Sequence, residues 1–122
     1  MKIFTGIDIV ENQRIQQSYD KFGKKFLNRI FTEREIDYCM KKKDFIPCLA
    51  ARFAAKEATI KAYYQAFQEK INYKNVEILG KNGEPAEILL HNNANPAKTF
   101  SLSLSISHEK NYSVAVVIIN TA

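Results

Sequence analysis

Two carboxylates, each set among small or apolar residues, are the groups in this chain best suited to chemistry. Asp8 lies within Ile3-Phe4-Thr5-Gly6-Ile7-Asp8-Ile9-Val10, and Glu57 lies in the alanine-rich stretch spanning residues 49–62. A carboxylate in an apolar run is costly to bury unless something pairs with it. Hard carboxylate oxygens suit Mg²⁺, which commonly takes one or two of them and fills its octahedron with water and substrate phosphates. Arg52, Lys56 and Lys61 add positive charge suited to phosphate on the same stretch as Glu57. Each feature also has a plainer reading. Asp8 caps a strand end, or it is a metal ligand with Gly6 leaving room for a bulky group. Glu57 and Lys61, one helical turn apart, are a solvated ion pair, or they hold a metal and the phosphate bound to it.

Other chemistries lack their residues. Four glycines, none with Walker or dinucleotide spacing, make no phosphate-cradling loop. The histidines, His91 and His108, lie 17 positions apart with no ligand-like partners, and strand-end histidines of this kind are commonly structural. No nucleophile-elbow serine and no Cys/His arrangement occurs. Cys39 and Cys48 form neither a metal-ligand spacing nor a disulfide framework, so reduced thiols in a cytosolic setting are expected.

The elements that must carry Asp8 and Glu57 follow from hydrophobic period. Residues 3–10 are β-branched and aromatic and predict a first strand. Ile15, Tyr19, Phe22 and Phe26 step by four, three and four, an apolar helical stripe, with Gly23 able to end that helix early. Thr32-Glu33-Arg34-Glu35 is a capping-box pattern opening a short helix with Ile36, Cys39 and Met40 inward. Asp44 is expected to cap the next helix, with Pro47 in its first turn. That helix is rich in alanine, the best helix former, and Leu49, Phe53, Ile60, Tyr64 and Phe67 supply a face for packing on a sheet. Whether it ends at Lys61 or runs through Phe67 is open. Residues 76–79 and 86–90 predict two short strands around Asn82-Gly83. Phe100, Leu102, Leu104 and Ile106 alternate with four serines, a half-buried strand. Residues 112–119 are apolar on both parities and predict a central strand covered on both faces. The class is α+β: shorter N-terminal helices, then a long central helix packed on an antiparallel sheet.

With 122 residues the chain fits one domain, residues 1–122, and 46% apolar against 25% charged residues set it apart from a disordered chain. No apolar run approaches a membrane span, and no signal-peptide pattern opens the chain. Net charge is +5, and its location is informative. Arg14, Lys21, Lys24, Lys25 and Arg29 face only Asp20 between residues 12 and 31, whereas residues 71–122 are balanced. A local patch of this sign points to an acidic partner.

Together Gly6-Ile7-Asp8-Ile9-Val10-Glu11, Arg14-Ile15, Arg29-Ile30-Phe31-Thr32, Arg52-Phe53-Ala54-Ala55-Lys56-Glu57-Ala58 with Lys61-Ala62, and Ser105-Ile106-Ser107-His108 resemble the bacterial holo-acyl-carrier-protein synthases, in order and spacing. These are 4′-phosphopantetheinyl transferases, and the resemblance spans essentially the whole chain. It implies that 4′-phosphopantetheine moves from coenzyme A to a serine of apo-acyl carrier protein, leaving adenosine 3′,5′-bisphosphate, in fatty acid biosynthesis. It implies a catalytic set of Asp8, Glu57 and Lys61, with Asp8 and Glu57 as Mg²⁺ ligands. Arg52, Lys56 and Lys61 would meet coenzyme A phosphates, and Gly83, Pro85, Ser107 and His108 would line the nucleotide. Arg14, Lys21, Lys24, Lys25 and Arg29 would dock the carrier protein. A cytoplasmic homotrimer with active sites between subunits is implied as well, with no nucleic-acid or membrane partner. One departure stands out: many members carry Gly-x-Gly after the central lysine, where this chain has Tyr64-Gln65-Ala66. Two rival readings are a basic nucleic-acid-binding domain, which leaves Asp8 and Glu57 idle, and a catalytically silent carrier-protein-binding domain.

Overall fold

The computed structural model describes residues 1–80, 84–91 and 99–122. Strand β1 (Lys2–Glu11) leads into α1 (Asn12–Phe22), α2 (Lys24–Ile30), α3 (Glu33–Met40) and the long α4 (Ile46–Phe67). A single 3₁₀ turn (Tyr73–Asn75) precedes β2 (Val76–Leu79), β3 (Glu87–Leu90), β4 (Phe100–His108) and β5 (Tyr112–Thr121). The β1, β5 and β4 strands form an antiparallel sheet in that order, and β2 pairs with β3 in a second, two-stranded one. The turn at Asn82-Gly83 lies outside the described residues.

Helix α4 lies across one face of the three-stranded sheet; of the expected stripe Leu49 is fully buried, and Phe53, Ile60 and Phe67 pack partly buried against the core. Its buried surface is mainly small: Ala50, Ala54, Ala55, Ala58 and Ala62 are fully buried, whereas Tyr64 is half exposed. Small residues let the backbones approach closely, and Gly6 completes the fit. A Cβ at Gly6 would collide with the Ala58 carbonyl oxygen and come within 2.8 Å of Ala62 N. Gly6 therefore makes room for a helix, not for a ligand. Tyr63, Phe67 and Phe100 close the far end with ring centroids 4.7–6.2 Å apart.

Several local expectations need correction. Gly23, at φ +56°, divides the first helical stretch, and Phe22 consequently projects to solvent. Asp44 does not cap α4; Phe45 occupies that position without a side-chain bond, and Pro47 sits in the first turn where its missing N–H costs nothing. The helix continues through Phe67 and ends at Gln68 in the left-handed conformation. Cys39 and Cys48 are joined as a disulfide with Cα atoms 5.5 Å apart, tying the end of α3 to the start of α4. Reduced thiols were the sequence expectation, because a nine-residue separation alone gives no sign that two helix ends meet there.

The β5 strand is central, as its composition predicts, and among the described residues of the single chain one face is covered. Ala115, Val117 and Ile119 are buried under α4. On the opposite face Ile118 stays exposed, flanked in register by Thr5 and Ser103, while Ile3, Ile7 and Ile9 of β1 are more than half exposed.

Candidate active site

Strand β1 and helix α4 each bring one carboxylate to a single cleft of about 300 Å³, lined by Asp8, Ile9, Val10, Arg14, Ile15, Ser18, Phe26, Phe53 and Glu57. Asp8 arrives there by strand alternation: it shares the helix-facing side of β1 with Gly6 and Val10. Burial raises its carboxyl above the ordinary value; Lys61 opposes this through a hydrogen bond and its charge, and the Glu57 charge adds to the rise.

The helical pairing of Glu57 with Lys61 does not form. Lys61 instead donates to Asp8 Oδ1 at 3.1 Å and to the Ile7 carbonyl at 3.1 Å. Glu57 accepts a short hydrogen bond from the Tyr73 hydroxyl on Oε1, and Oε2 has no hydrogen-bond partner among the described residues. Burial, this bond and the charges of Glu57 and Asp8 push the Tyr73 hydroxyl up to about 12, with Arg29 acting against them. Tyr73 was missed in the sequence. It follows Glu57 by 16 positions in a short turn, where neither helical nor strand period extends.

Lys56 is displaced from its expected role. Its ammonium is fully buried, 2.8 Å from Glu35 Oε1 and bonded to the carbonyls of Tyr73 and Val76. An ammonium committed to three internal oxygens reaches no coenzyme A phosphate, so Lys56 is a structural residue here. Glu35 serves at once as its partner, as the capping-box acceptor for Thr32 N, and as acceptor for Ile78 N.

Arg52 lies five positions before Glu57 on α4, about 140° around the helix. It lines a second groove with Tyr38, Lys42, Asp44, Pro47, Cys48, Ala51 and His108, which shares no residue with the carboxylate cleft. Its guanidinium stacks 4.7 Å over Tyr38 and donates to the Gly80 carbonyl at 3.4 Å, while Nε is buried without a hydrogen-bond partner among the described residues. Such an orphaned donor is a feature an anion would satisfy. Ser107 and His108 are exposed at the end of β4, and Pro85 is exposed ahead of β3; Gly83 lies outside the described residues. His91, by contrast, is bound to Glu77 at 2.8 Å in a structural cluster.

All five patch cations are exposed, on α1 and α2. Arg14 lines the carboxylate cleft and the charge of Arg29 reaches Tyr73, whereas Lys21, Lys24 and Lys25 continue the patch past the break at Gly23.

The cleft can hold a hard cation between two carboxylates. Among the described residues no group of three or more His, Cys, Asp or Glu side chains converges. A cation here would therefore draw its remaining ligands from water and substrate, the coordination Mg²⁺ favours. Asp8 and Glu57 fit that requirement, with Lys61 and Tyr73 fixing one oxygen of each.

Comparison with known proteins bears on the fold and the family. A holo-[acyl-carrier-protein] synthase of Aquifex aeolicus is 46% identical over 116 residues, covering 93% of this chain and 95% of the relative. The structure of Helicobacter pylori holo-[acyl-carrier-protein] synthase in complex with coenzyme A aligns at TM-score 0.75 and 32% identity, over 95% of this chain and 99% of that one. A Chronobacterium ammoniagenes ACPS-CoA complex shares the fold at TM-score 0.85 with 24% identity, over 100% and 99% of the two chains. Residues 5–117 match the 4′-phosphopantetheinyl transferase family model, and the chain belongs to the 4′-phosphopantetheinyl transferase superfamily.

Proposed function

We propose that this protein transfers 4′-phosphopantetheine from coenzyme A to a serine of apo-acyl carrier protein, releasing adenosine 3′,5′-bisphosphate. The observation that carries this reading is the convergence of Asp8 and Glu57 on one cleft, with Arg14 on its wall and Lys61 paired to Asp8. The serine oxygen forms a bond to the diphosphate phosphorus that bears pantetheine, and the bond from that phosphorus to the bridging oxygen breaks. The serine proton passes to Glu57 Oε2, directly or through water. Lys61, half exposed and a single turn from Glu57, is placed to leave Asp8 for the diphosphate and to offset charge there. Mg²⁺ would be held by Asp8 and Glu57 and would supply charge neutralisation at the diphosphate.

Arg52 is the best-supported nucleotide contact, because its buried Nε lacks a partner among the described residues and its groove contains His108. Ser107, Pro85 and Gly83 complete the proposed nucleotide wall. The patch from Arg14 to Arg29 would take the acidic carrier protein and deliver its serine to the neighbouring cleft. Residues 1–122 form one catalytic domain in this reading.

We assign the active form as a homotrimer with sites between subunits. The uncovered face bearing Ile3, Ile7, Ile9 and Ile118 supports it, since exposed apolar patches of this kind mark association surfaces. The separation of the Arg52 groove from the carboxylate cleft also fits a site completed by a second copy. A carrier-protein substrate places the reaction in fatty acid biosynthesis, in the cytoplasm; no helix among the described residues is long and apolar enough to cross a membrane.

Mass spectrometry of apo-acyl carrier protein incubated with this protein, coenzyme A and Mg²⁺ tests the reading. A phosphopantetheine-sized mass gain on the carrier serine is expected, absent in Asp8→Ala and Glu57→Ala. No gain with the wild-type protein, or substantial gain with either variant, would refute the corresponding assignment.

A further inference from the structure

Glu57 is restrained by a residue outside the motif that contains it, and that residue is itself restrained from three sides. The Tyr73 hydroxyl donates to Glu57 Oε1. Its ring stacks on Phe53, one turn before Glu57, with centroids 5.8 Å apart and planes inclined at 27°. Its carbonyl accepts from the buried Lys56 ammonium at 2.9 Å, and Lys56 is in turn held by Glu35 at 2.8 Å. The adjacent residues Lys56 and Glu57 thus act on opposite ends of one tyrosine: Lys56 fixes its main chain, and its hydroxyl fixes Glu57.

A glutamate on a partly open helix face has three side-chain torsions, the last of them broad. Left free, its carboxylate samples positions more than an ångström apart, and misplacement on that scale costs large factors in rate. We infer that Tyr73 is a positioning residue for Glu57, occupying Oε1 and thereby dedicating Oε2 to the cation and the serine proton. This inference rests on the transferase reading above. Its basis is geometric: a stacked ring, a pinned carbonyl and a hydroxyl aimed at one of two carboxylate oxygens.

Tyr73→Phe removes the hydroxyl and keeps the ring, so it separates positioning from packing. We expect kcat for carrier-protein modification to fall about tenfold, and the Kd for Mn²⁺, read by electron paramagnetic resonance without substrates, to rise by about the same factor. KM for both substrates should stay within about twofold, because no substrate contact is assigned to the hydroxyl. Unchanged kcat and Mn²⁺ affinity would overturn the inference, as would a variant that fails to fold. A double-mutant cycle gives a second reading. In a Glu57→Gln background Tyr73→Phe should change Mn²⁺ affinity by less than about twofold, whereas an equal effect in both backgrounds would overturn the coupling. Failure of the transferase reading is distinguishable, since it would abolish wild-type transfer while leaving the Mn²⁺ cycle measurable.

Discussion

Two lysine–carboxylate pairs join α4 to its neighbours, and they differ in everything except their chemistry. Lys56 and Glu35 meet at 2.8 Å with both side chains wholly buried; Lys61 and Asp8 meet at 3.1 Å with Lys61 half exposed. In the first pair every strong donor and acceptor has an internal partner, so the ions are committed to the fold. In the second, Lys61 faces water and Asp8 carries a carboxyl that burial raises above its ordinary value. The same two functional groups, five residues apart along one helix, therefore form a structural clamp in one case and a pair open to water in the other. Burial decides which, because a buried partner lost leaves an unpaired charge, whereas a surface partner lost is replaced by water.

That contrast can be broken in order of expected effect. Lys56→Met leaves Glu35 charged and buried, and urea unfolding should show a loss of about 3–5 kcal/mol. Adding Glu35→Met should recover part of this and no more, because Thr32 N and Ile78 N then lose their acceptor. Full recovery would mean that the clamp is only an ion pair.

Acid titration sharpens the same contrast through Glu77, which neighbours the clamp on β2. Burial pushes its carboxyl up, but hydrogen bonds from Arg34, Thr32 and His91 outweigh that and hold it at about 2. A depressed carboxyl contributes stability above its unfolded value of about 4.5, and loses it as pH falls from there towards 2. Acid unfolding across that window should be steeper for the wild-type protein than for Glu77→Gln. Asp8 has the opposite sign: its raised carboxyl makes ionisation unfavourable to folding, so Asp8→Asn should leave neutral-pH stability equal or higher while abolishing transfer. A destabilised Asp8→Asn would move Asp8 into the structural class. The smallest effect on stability belongs to Lys61→Met, within about 1 kcal/mol of wild type by urea unfolding. Its transfer rate should nevertheless fall at least tenfold, on the order of one charge-stabilising contact.

Much of this was legible in the chain. The strand alternation around Asp8, the capping box at Thr32 and Glu35, and the serine-faced β4 rest on periods of two and three to four residues, which local sequence carries directly. What escaped depends on contacts between distant elements. Lys56 and Lys61 look alike in sequence; only the packing of α3 and the Tyr73 turn against α4 separates them. The alanines that share the buried face with the expected stripe of large residues were not foreseen, because Gly6 permits an approach that periodicity does not encode. Asp44 as a cap and the separate thiols failed for the same reason. Each needed knowledge of what lies across the gap.

Gly6 has one more consequence. Asp8 and Glu57 belong to elements that touch at this residue through main chain alone, with the Ala58 carbonyl and Ala62 N against its α-carbon. Main-chain atoms have no rotamers to relax into, so the spacing between the two carboxylates is gauged by rigid contact rather than by side-chain choice. Even a methyl group added at Gly6 would act as a shim, prising the strand from the helix. Both carboxylates would remain in the sequence, and the cation proposed to bind between them would find them too far apart.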